Sequence, residues 1–377
     1  KQEETSENEE QGQTEQSRQT VAEENDAEQA KTAGNLEVHF IDVGQGDATL
    51  IKCDGHSMLI DAGNNDKGTL VQNYLQHQGV ETLDYVIGTH PDADHIGGMD
   101  VVLYKFDCKT IIMPDVANNT RTYDDVVQTM KNKGYKTTYP VVGETYTIGG
   151  AAFTIIAPNK EYGNDMNSWS VGVLLQNGNH RFLFTGDAEE GAEQDILQNG
   201  IDISADVYKV AHHGSNTATS QAFLDAVHPT YAVISAGEGN SYGHPHAEVL
   251  NRLRAAGVSV FRTDEQGTIV ASSDGTTLTW NMSPSESWQA GEAKKSQNTE
   301  KSEKAADSQN NAETDAAVSN PTDQTDGNSD VIVHITKTGE KYHSAGCQYL
   351  RKSDIEVTLS EAKARGLTPC SKCNPPQ

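Results

Sequence analysis

Cysteines, long apolar runs and basic residues are all scarce in this chain of 377 residues, and each scarcity excludes a class of protein. The five cysteines, of which only Cys53 and Cys108 lie in the apolar middle of the chain, do not resemble a disulfide framework and leave the compartment open. No apolar run approaches the length that spans a membrane. The 28 Lys and Arg are outnumbered by 55 Asp and Glu, so general electrostatic attraction cannot hold a polyanion.

The acidic and apolar residues are unevenly distributed, and this divides the chain into four segments. Residues 1–35 and 284–330 repeat Glu, Gln and Ser and almost lack apolar residues, which predicts a disordered acidic tether and a disordered linker. Residues 36–283 carry the apolar periodicity and therefore the main core, with 14 basic and 31 acidic residues. Residues 331–377 form a small segment with seven basic and four acidic residues.

The first residue is Lys1 rather than Met, so we expect that the chain is processed or truncated at this end. An acidic segment rich in Ser and Gln is typical of the region just after a secretory or lipoprotein signal. We therefore expect an extracellular or cell-surface tethered protein, held by a lipid or signal-derived tether, with no transmembrane segment in the chain itself.

The stretch from His90 to His95 is the densest group of potential metal ligands in the sequence, because it also contains Asp92 and Asp94. Pro91 excludes a helix across it, and the apolar run before it predicts a loop at the end of a buried strand. Two imidazoles and two carboxylates at this spacing favour a divalent cation. A solvated acidic turn is the alternative, and four ligands in six residues make it the weaker one.

Three more polar clusters follow predicted strands. Asp187 comes directly after an apolar run, although a carboxylate before a helix is often only an N-cap. His212 and His213 end another predicted strand. On an extended backbone their side chains would diverge, so we expect at most one of them to reach the same ion as Asp187. His244 and His246 precede a helix, where capping by His246 is the alternative.

Predicted strands alternate with predicted helices in residues 36–283, but this segment begins and ends with hairpins at Asp54-Gly55 and Asp274-Gly275. Two mixed sheets covered by helices fit this order better than one parallel sheet. Every polar cluster lies just after a strand. We therefore expect the clusters to meet on one rim of the fold.

Five motifs in order resemble the metallo-β-lactamase superfamily and, within it, the C-terminal hydrolase domain of the ComEC competence protein family. The motifs are residues Phe40 to Ala48, His90 to Gly98, Phe184 to Ala188, Val210 to Ser215 and Tyr242 to His246. The resemblance implies an αββα sandwich of the α+β class with a dinuclear metal site at one edge. The membrane channel and the oligonucleotide-binding domain of full-length ComEC proteins have no counterpart in this sequence, so we do not expect transport by this chain alone.

The resemblance also implies which residues bind the two ions. One ion would be bound by His90 and Asp92, the other by Asp94 and His95, with Asp187 as the bridge between them. The ligand set would thus combine imidazole nitrogens with several carboxylate oxygens.

The adjacent histidines and two departures from the family pattern affect this assignment. By the resemblance, His213 would be the later ligand and His212 would face the substrate or donate a proton, although the two roles can be exchanged. The wider superfamily commonly has a histidine at the position of Asp92 and another in a later loop. In this chain we expect Asn167 to take the place of the histidine of the later loop. His180 is not expected to do so, since it would lie on the opposite face of its strand. More oxygen ligands favour a harder ion such as Mn²⁺ or weaken the first site. We therefore expect two divalent ions, Zn²⁺ or Mn²⁺, without assuming that both are Zn²⁺.

These features predict metal-assisted hydrolysis of a phosphodiester, and the resemblance suggests DNA nuclease action. Asp94 would orient the nucleophile, and His212 or His246 would protonate the leaving oxygen. Hydrolysis of a small or cell-wall-linked ester, of phosphocholine or thioester type, is one alternative, and a non-enzymatic surface DNA-binding protein is another. Further residues of these motifs are expected to contact the substrate or to support the ligands: Asp42, Gln45, Asp47, Asn167, Ser215 and His244.

Residues 331–377 are too few to bury a large core, so we expect a covalent or metal staple. His343, Cys347, Cys370 and Cys373 form a Cys₃His set with C-x₂-C spacing, which predicts one structural Zn²⁺ in a small α+β domain. A disulfide between two of the cysteines is the alternative. The segment resembles the metal-binding modules related to the N-terminal domain of the Ada repair protein. Its net charge of +3 makes it a candidate for contacting DNA phosphate.

Overall fold

The computed structural model describes residues 33–291, 332–336, 341–344, 350, 355–364, 367–370, 372–373 and 375. The chain divides into two units, Lys1–Lys301 and Ser302–Gln377, and each is considered by itself. Most of the predicted tether (1–35) and of the predicted linker (284–330) falls outside the described residues.

The larger unit is rich in strands. In chain order they are β1 Leu36–Phe40, β2 Thr49–Cys53, β3 His56–Ile60, β4 Thr82–Ile87, β5 Asp107–Ile112, β6 Thr137–Thr138, β7 Thr145–Ile148, β8 Ala151–Ala157, β9 Gly172–Asn177, β10 His180–Phe184, β11 Val207–Lys209, β12 Tyr231–Ile234, β13 Ser259–Arg262, β14 Ile269–Ser273 and β15 Leu278–Trp280. Its helices are α1 Gly68–His77, α2 Ala93–Ile96, α3 Met99–Lys105, α4 Arg121–Lys133, α5 Glu190–Gln198, α6 Gln221–Val227, α7 Ala247–Ala255 and α8 Thr263–Gln266.

These strands form two mixed sheets. The first has the order β15-β14-β1-β2-β3-β4-β5-β6, antiparallel from β15 to β3 and parallel from β3 to β6. The second has the order β13-β12-β11-β10-β9-β8-β7, parallel from β13 to β10 and antiparallel from β10 to β7. Hairpins and helical crossovers therefore occur in both sheets, as the alternation in the sequence predicted.

Apolar residues fill three layers of the larger unit. Between the sheets, Phe40 of β1 stacks on Phe184 of β10 with ring centroids 6.1 Å apart. Val71 of α1 belongs to the cluster outside the first sheet, and Phe223 of α6 belongs to the cluster outside the second. Two sheets face each other with helices on both outer faces, so the predicted αββα sandwich is confirmed.

Local sequence signals explain several element ends. The Asp54-Gly55 turn joins β2 to β3 with φ values of +50° and +85°, a left-handed conformation that suits this dipeptide. Helix α4 begins after Thr120, whose side chain accepts a hydrogen bond from Tyr123 N, and it ends at Gly134 with φ of +73°. Both signals are local, and this is why they can be recognised in the sequence.

The larger unit continues beyond residue 283, the end predicted for it. Residues 284–291, which we call the strap, pack on it: Trp288 contacts the apolar cluster outside the second sheet, and Gly291 N donates to Pro245 O at 2.9 Å. The predicted linker therefore begins with a segment that packs against the sandwich.

The smaller unit contains the strands β16 Ile332–Ile335, β17 Lys341–His343, β18 Ile355–Thr358 and β19 Thr368–Pro369, and helix α9 Leu359–Ala364. The strands have the order β18-β16-β17-β19. Val333, Tyr342 and Leu359 are among the residues of its small core. None of the helices in the described ranges of either unit combines the length and hydropathy that a bilayer-spanning segment requires.

Candidate metal centre

Loops at the carboxyl ends of strands from both sheets meet at one edge of the sandwich. Asp61 follows β3 and the segment 90–95 follows β4, whereas Asp187 follows β10 and His213 follows β11. The predicted loop over 90–95 is correct only as far as Asp92, because Asp94 and His95 lie in the short helix α2, which begins two residues after Pro91. The distances between these side chains show that the separate polar clusters of the sequence come together on one rim.

Asp94, His95, Asp187 and His213 form a compact group in which the potential ligand atoms all lie within 4.8 Å of one another. His95 Nε2 lies 3.1 Å from Asp187 Oδ1. His213 Nε2 lies 3.3 Å from Asp94 Oδ2 and 3.4 Å from Asp187 Oδ2. Asp187 therefore faces both histidines, one with each carboxylate oxygen.

Several polar atoms of this group and of the adjacent His90 are buried without a hydrogen bond from any described residue. They are the Nε2 atoms of His90, His95 and His213, together with Asp187 Oδ1. Each unpaired buried polar atom costs about 1–3 kcal/mol, so four in one place require an explanation. A divalent cation provides one, because imidazole nitrogens and carboxylate oxygens are its usual ligands.

Burial and the neighbouring carboxylates change the pKa of the two histidines of the compact group in opposite directions. Burial alone would lower the pKa of His95, but Asp187 and Asp61 raise it well above its ordinary value. Asp187 and Asp47 raise the pKa of His213 in the same way, again against burial. Both rings therefore lie where the carboxylates favour positive charge, which a bound cation would supply.

His90 and Asp92 are less tightly grouped. His90 Nε2 lies 3.8 Å from Asp92 Oδ2, and its ring packs on that of His95 with centroids 4.1 Å apart. Burial and then the neighbouring His95 lower the pKa of His90 to about 3, so His90 is a neutral imidazole suited to coordination. The Asp92 side chain is 39% exposed, and its Oδ1 accepts from Asn118 Nδ2 at 3.2 Å. This half of the site is the more open one.

Asp61, which our sequence interpretation overlooked, contacts the other nitrogen of His95. Asp61 Oδ2 lies 2.8 Å from His95 Nδ1. Thr89 donates to both carboxylate oxygens of Asp61, from its backbone N–H at 2.9 Å and from its hydroxyl at 2.8 Å. A carboxylate at Nδ1 fixes the ring and keeps Nε2 available for a metal. Since Asp61 follows an apolar strand, the rule that selected Asp187 would have found it.

A buried ion pair supports His213. Lys209 Nζ lies 2.8 Å from Asp47 Oδ2. The other oxygen of Asp47, Oδ1, lies 3.4 Å from His213 Nδ1. His213 Nδ1 also lies 2.9 Å from Ser235 O. Burial would raise the pKa of Asp47, but Lys209 and then His213 hold it well below its usual range. Asp47 was predicted as a supporting residue. Lys209 was missed, because a lysine at a strand end is normally solvated.

The backbone at His212 and His213 is left-handed rather than extended, with φ values of 49° and 53°. The two side chains therefore do not diverge in the way that an extended backbone requires: His212 Nε2 also approaches Asp187, at 3.7 Å from Oδ2. Its Nδ1 lies 3.2 Å from Thr217 Oγ1 and 3.3 Å from Glu189 Oε1. His213 is buried, whereas the side chain of His212 is 21% exposed.

The loop after β12 places His244 beside these two histidines. His244 is buried, and its ring centroid lies 5.5 Å from that of His212 and 6.2 Å from that of His213. Burial and then the neighbouring histidines lower the pKa of His244 to about 4. His246, which we predicted as a proton donor, has backbone partners at both nitrogens: Nδ1 accepts from Asn216 N at 2.9 Å, and Nε2 lies 3.3 Å from a carbonyl oxygen.

The remaining predicted residues are held by hydrogen bonds of two kinds. Asn167 bonds to Glu189 and Gln45 bonds to Gly237, in other loops of the chain. Asp42 bonds to Gly44 and Ser215 bonds to Thr217, each within its own loop. Asn167 thus reaches the site through Glu189, the partner of His212. His180 bonds to Ser273 Oγ at 2.7 Å, at the opposite end of β10 from Asp187.

Two loops of the site approach each other so closely that position 46 requires glycine. Gly46 has a φ of +137°, and a Cβ atom there would lie 2.4 Å from Asp94 O. Asp47 N donates to the same carbonyl oxygen at 3.0 Å. The turn after β1 therefore holds the backbone of Asp94 in place.

The smaller unit contains its own group of potential ligands. The ligand atoms of His343, Cys370 and Cys373 lie within 4.8 Å of one another. Cys373 Sγ lies 3.8 Å from His343 Nδ1 and accepts from Ser344 N at 3.4 Å. Cys347, the fourth predicted ligand, lies outside the described residues.

Known proteins resemble the larger unit. The family model described as "Metallo-beta-lactamase superfamily" matches residues 41–238. The chain is 31% identical over 255 residues to ComE operon protein 3 of Bacillus subtilis (strain 168), and 33% identical over 238 residues to Recombination protein 2 of Haemophilus influenzae. Both matches cover 62% of this chain but only 32% and 28% of the relatives, so the chain spans about a third of their length.

Solved structures also show a resemblance. The metallo-beta-lactamase fold protein YhfI from Bacillus subtilis matches with a TM-score of 0.44 and 13% identity, over 65% of this chain and 99% of that protein.

Proposed function

The chain belongs to the metallo-beta-lactamase superfamily and is a metal-dependent hydrolase. We propose that its substrate is a phosphodiester, specifically that of DNA. The proposal rests on the compact group of histidines and carboxylates at one edge, whose buried unpaired atoms fit divalent cations. Such a mixed nitrogen and oxygen set suits phosphoryl transfer. Recombination protein 2, one of the relatives, is named for a process that acts on DNA, and this supports DNA as the substrate.

We assign the ligands of two ions by combining the family pattern with these distances. His90 and Asp92 would hold the first ion; Asp94, His95 and His213 would hold the second, and Asp187 would be shared. Zn²⁺ or Mn²⁺ bound there would polarise the phosphodiester and increase the acidity of a water molecule. The first set is looser and richer in oxygen, so we expect weaker binding there and a preference for Mn²⁺.

His212 is the residue that we assign as proton donor to the leaving oxygen. Its Nδ1 is held by Thr217 and Glu189, so the ring presents Nε2 to the site in a fixed orientation, and its partial exposure lets a substrate reach it. His246 is less suitable because both of its nitrogens have backbone partners.

Asp94 is the carboxylate that we assign to orient the attacking water. Its side chain is 28% exposed, so a water molecule can reach it. Burial would raise the pKa of Asp94, but its hydrogen bond with His213 lowers the pKa to about 2, so it remains an acceptor at neutral pH.

A small or cell-wall-linked ester is the second candidate substrate, and the charge of the larger unit favours it. Residues 36–283 hold 14 basic and 31 acidic residues, so a long polyanion is repelled more strongly than a small ester. The two candidates therefore differ in how their turnover depends on substrate length and on salt.

The test uses the full chain, stripped of metal and reloaded with Zn²⁺ or Mn²⁺. Hydrolysis of linear DNA and of bis(p-nitrophenyl) phosphate is measured together with the amount of bound metal. His95→Ala should lose both activities and part of the metal, whereas His77→Ala, an exposed histidine at the end of α1, should keep them. Turnover of the small ester without cleavage of DNA, both at low salt and at a salt concentration that screens the acidic surface, would reject the DNA substrate. Unchanged turnover in His95→Ala would reject the site itself.

We also propose that His343, Cys347, Cys370 and Cys373 hold one structural Zn²⁺. The convergence of three of these side chains supports it, as does the donation from Ser344 N to Cys373 Sγ, a bond that suits a thiolate. Cys370→Ser should lower the zinc content by one equivalent and leave turnover of the small diester unchanged. An unchanged zinc content would contradict this assignment.

A further inference from the structure

Tyr242 is a large aromatic side chain that lies exposed at the rim of the metal centre. It is 63% exposed, and its ring stacks on that of His244 with centroids 5.5 Å apart and 20° between the planes. His244 in turn lies nearly parallel to His213, at 6.2 Å and 27°. Three stacked rings therefore connect the surface of the protein to the compact metal-binding group.

The backbone that carries Tyr242 is held on both sides. Tyr242 N donates to Asn240 Oδ1 at 3.1 Å, and Tyr242 O lies 3.3 Å from His246 Nε2. Asn240 also donates from Nδ2 to His244 O and Gly237 O, at 2.6 and 2.9 Å. The ring is thus exposed while its main chain is fixed, as a preorganised binding surface requires.

We propose that Tyr242 is a stacking platform for a nucleobase of the substrate strand, next to the scissile phosphodiester. This inference rests on the proposed phosphodiesterase function and names the part of the substrate that the site recognises. One ring, that of His244, separates Tyr242 from His213 of the metal-binding group, so the stacked base belongs to a nucleotide that flanks the scissile phosphate. Every base has an aromatic face, so the platform tolerates any sequence.

Stacking also explains how so acidic a unit could hold nucleic acid. Lys and Arg contacts to phosphate are the usual source of affinity and make binding strongly dependent on salt. Residues 36–283 have an excess of 17 acidic over basic residues (31 against 14), so this source is weak. Base stacking needs no positive charge, so we expect that KM does not rise with salt, as it would if phosphate contacts supplied the affinity.

The experiment compares the full metal-loaded wild type with Tyr242→Ala, Tyr242→Phe and Tyr104→Ala. Tyr104 is a matched control, since it is 64% exposed on α3 and its ring contacts are with lysine side chains. The substrates are a single-stranded oligonucleotide and one of equal length with abasic sites. Thermal melting followed by tryptophan fluorescence verifies that all variants fold.

Tyr242→Ala should raise KM for the normal oligonucleotide about fivefold to a hundredfold, the range expected for one base stacked on one aromatic ring. Because the ring does not touch the reacting atoms, kcat should change little, and the abasic oligonucleotide should show no difference between variants. Tyr242→Phe and Tyr104→Ala should behave like the wild type. An equal loss on both oligonucleotides, or a loss in Tyr242→Phe as large as in Tyr242→Ala, would overturn the platform.

Binding measurements separate this inference from the proposed function. Fluorescence anisotropy of labelled oligonucleotides reports affinity even if the wild type cuts no DNA, the result that would reject DNA hydrolysis. Preference for the normal over the abasic strand, lost in Tyr242→Ala, would then still support the platform. Equal binding of both strands by the wild type would reject it.

Discussion

Replacing Lys209 by Met should destabilise the larger unit strongly, because it leaves a buried carboxylate without its cation. Lys209 and Asp47 are 2.8 Å apart, with side chains only 3% and 6% exposed. Removal of one partner from a buried pair typically costs about 3–5 kcal/mol, since the remaining charge loses its counter-ion and gains no water. Asp47 then keeps only the more distant His213, at 3.4 Å. At an effective dielectric constant of about 20, the charges of Lys209 and Asp47 attract by about 6 kcal/mol before the cost of desolvation is subtracted.

The exposed pair Lys109–Asp84 provides a matched control. Its atoms are 2.7 Å apart, but the lysine side chain is 59% exposed. Exposed pairs contribute about 0–1 kcal/mol, so Lys109→Met should have a small effect. Both substitutions remove a lysine from an ion pair with nearly the same distance between nitrogen and oxygen. The difference between their effects on the free energy of unfolding therefore measures the effect of burial.

Urea denaturation followed by tryptophan fluorescence measures both effects in the full chain. The three tryptophans, at positions 169, 280 and 288, all belong to the larger unit. EDTA in the buffer removes any contribution from bound metal. We expect Lys209→Met to lower the free energy of unfolding by about 3–5 kcal/mol, observed as a lower midpoint concentration of urea. Adding Asp47→Asn to Lys209→Met should recover part of the loss. A loss no larger than that of Lys109→Met would refute the reasoning.

Three further predictions concern local features. Gly46→Ala should weaken metal binding, because the new Cβ atom would lie 2.4 Å from Asp94 O; titration calorimetry measures the effect. Gly55→Ala is the control, since Gly55 also has a positive φ but has open space around it. Thr120→Ala should cost about 1 kcal/mol of unfolding free energy by removing the N-cap of α4. Burial would raise the pKa of Asp84, but hydrogen bonds from a lysine, a backbone N–H and a histidine hold it below 3.8. Its ionised form therefore stabilises the fold above that pH. The difference in unfolding free energy between wild type and Asp84→Asn should shrink as the pH falls through the folded pKa, and a difference independent of pH would contradict this.

The fold was predictable to the extent that its signals are local. The turn at Asp54-Gly55 and the helix before Gly134 can be recognised from a few adjacent residues, and the alternation of strands and helices indicates two mixed sheets. The pairing of β1 with β14 joins opposite ends of the larger unit and leaves no local signal. The strap was assigned to the linker because its composition is polar, although Trp288 anchors it.

Candidate ligands could be predicted where they follow strands, and not where the backbone departs from regular strand geometry. The segment 90–95 and Asp187 were found by their position after apolar runs. The left-handed backbone at His212 has no signal in the residue itself, because positive φ is uncommon for any residue except glycine. Lys209 can be buried because it pairs with Asp47, which lies far from it in the sequence.

The strap also determines how much of this chain must be transferred to move its hydrolase to another protein. The family match, residues 41–238, omits β1, an interior strand of the first sheet, and β14, its neighbour. A fragment ending at residue 283 would include every proposed ligand of the hydrolase site, yet it would lack the Gly291 N–H that bonds to Pro245 O beside His244. At the other end, Gly34 is buried and exchanges two hydrogen bonds with Asn177. The smallest portable hydrolase therefore runs from residue 33 to residue 291, and a fusion junction belongs after Gly291.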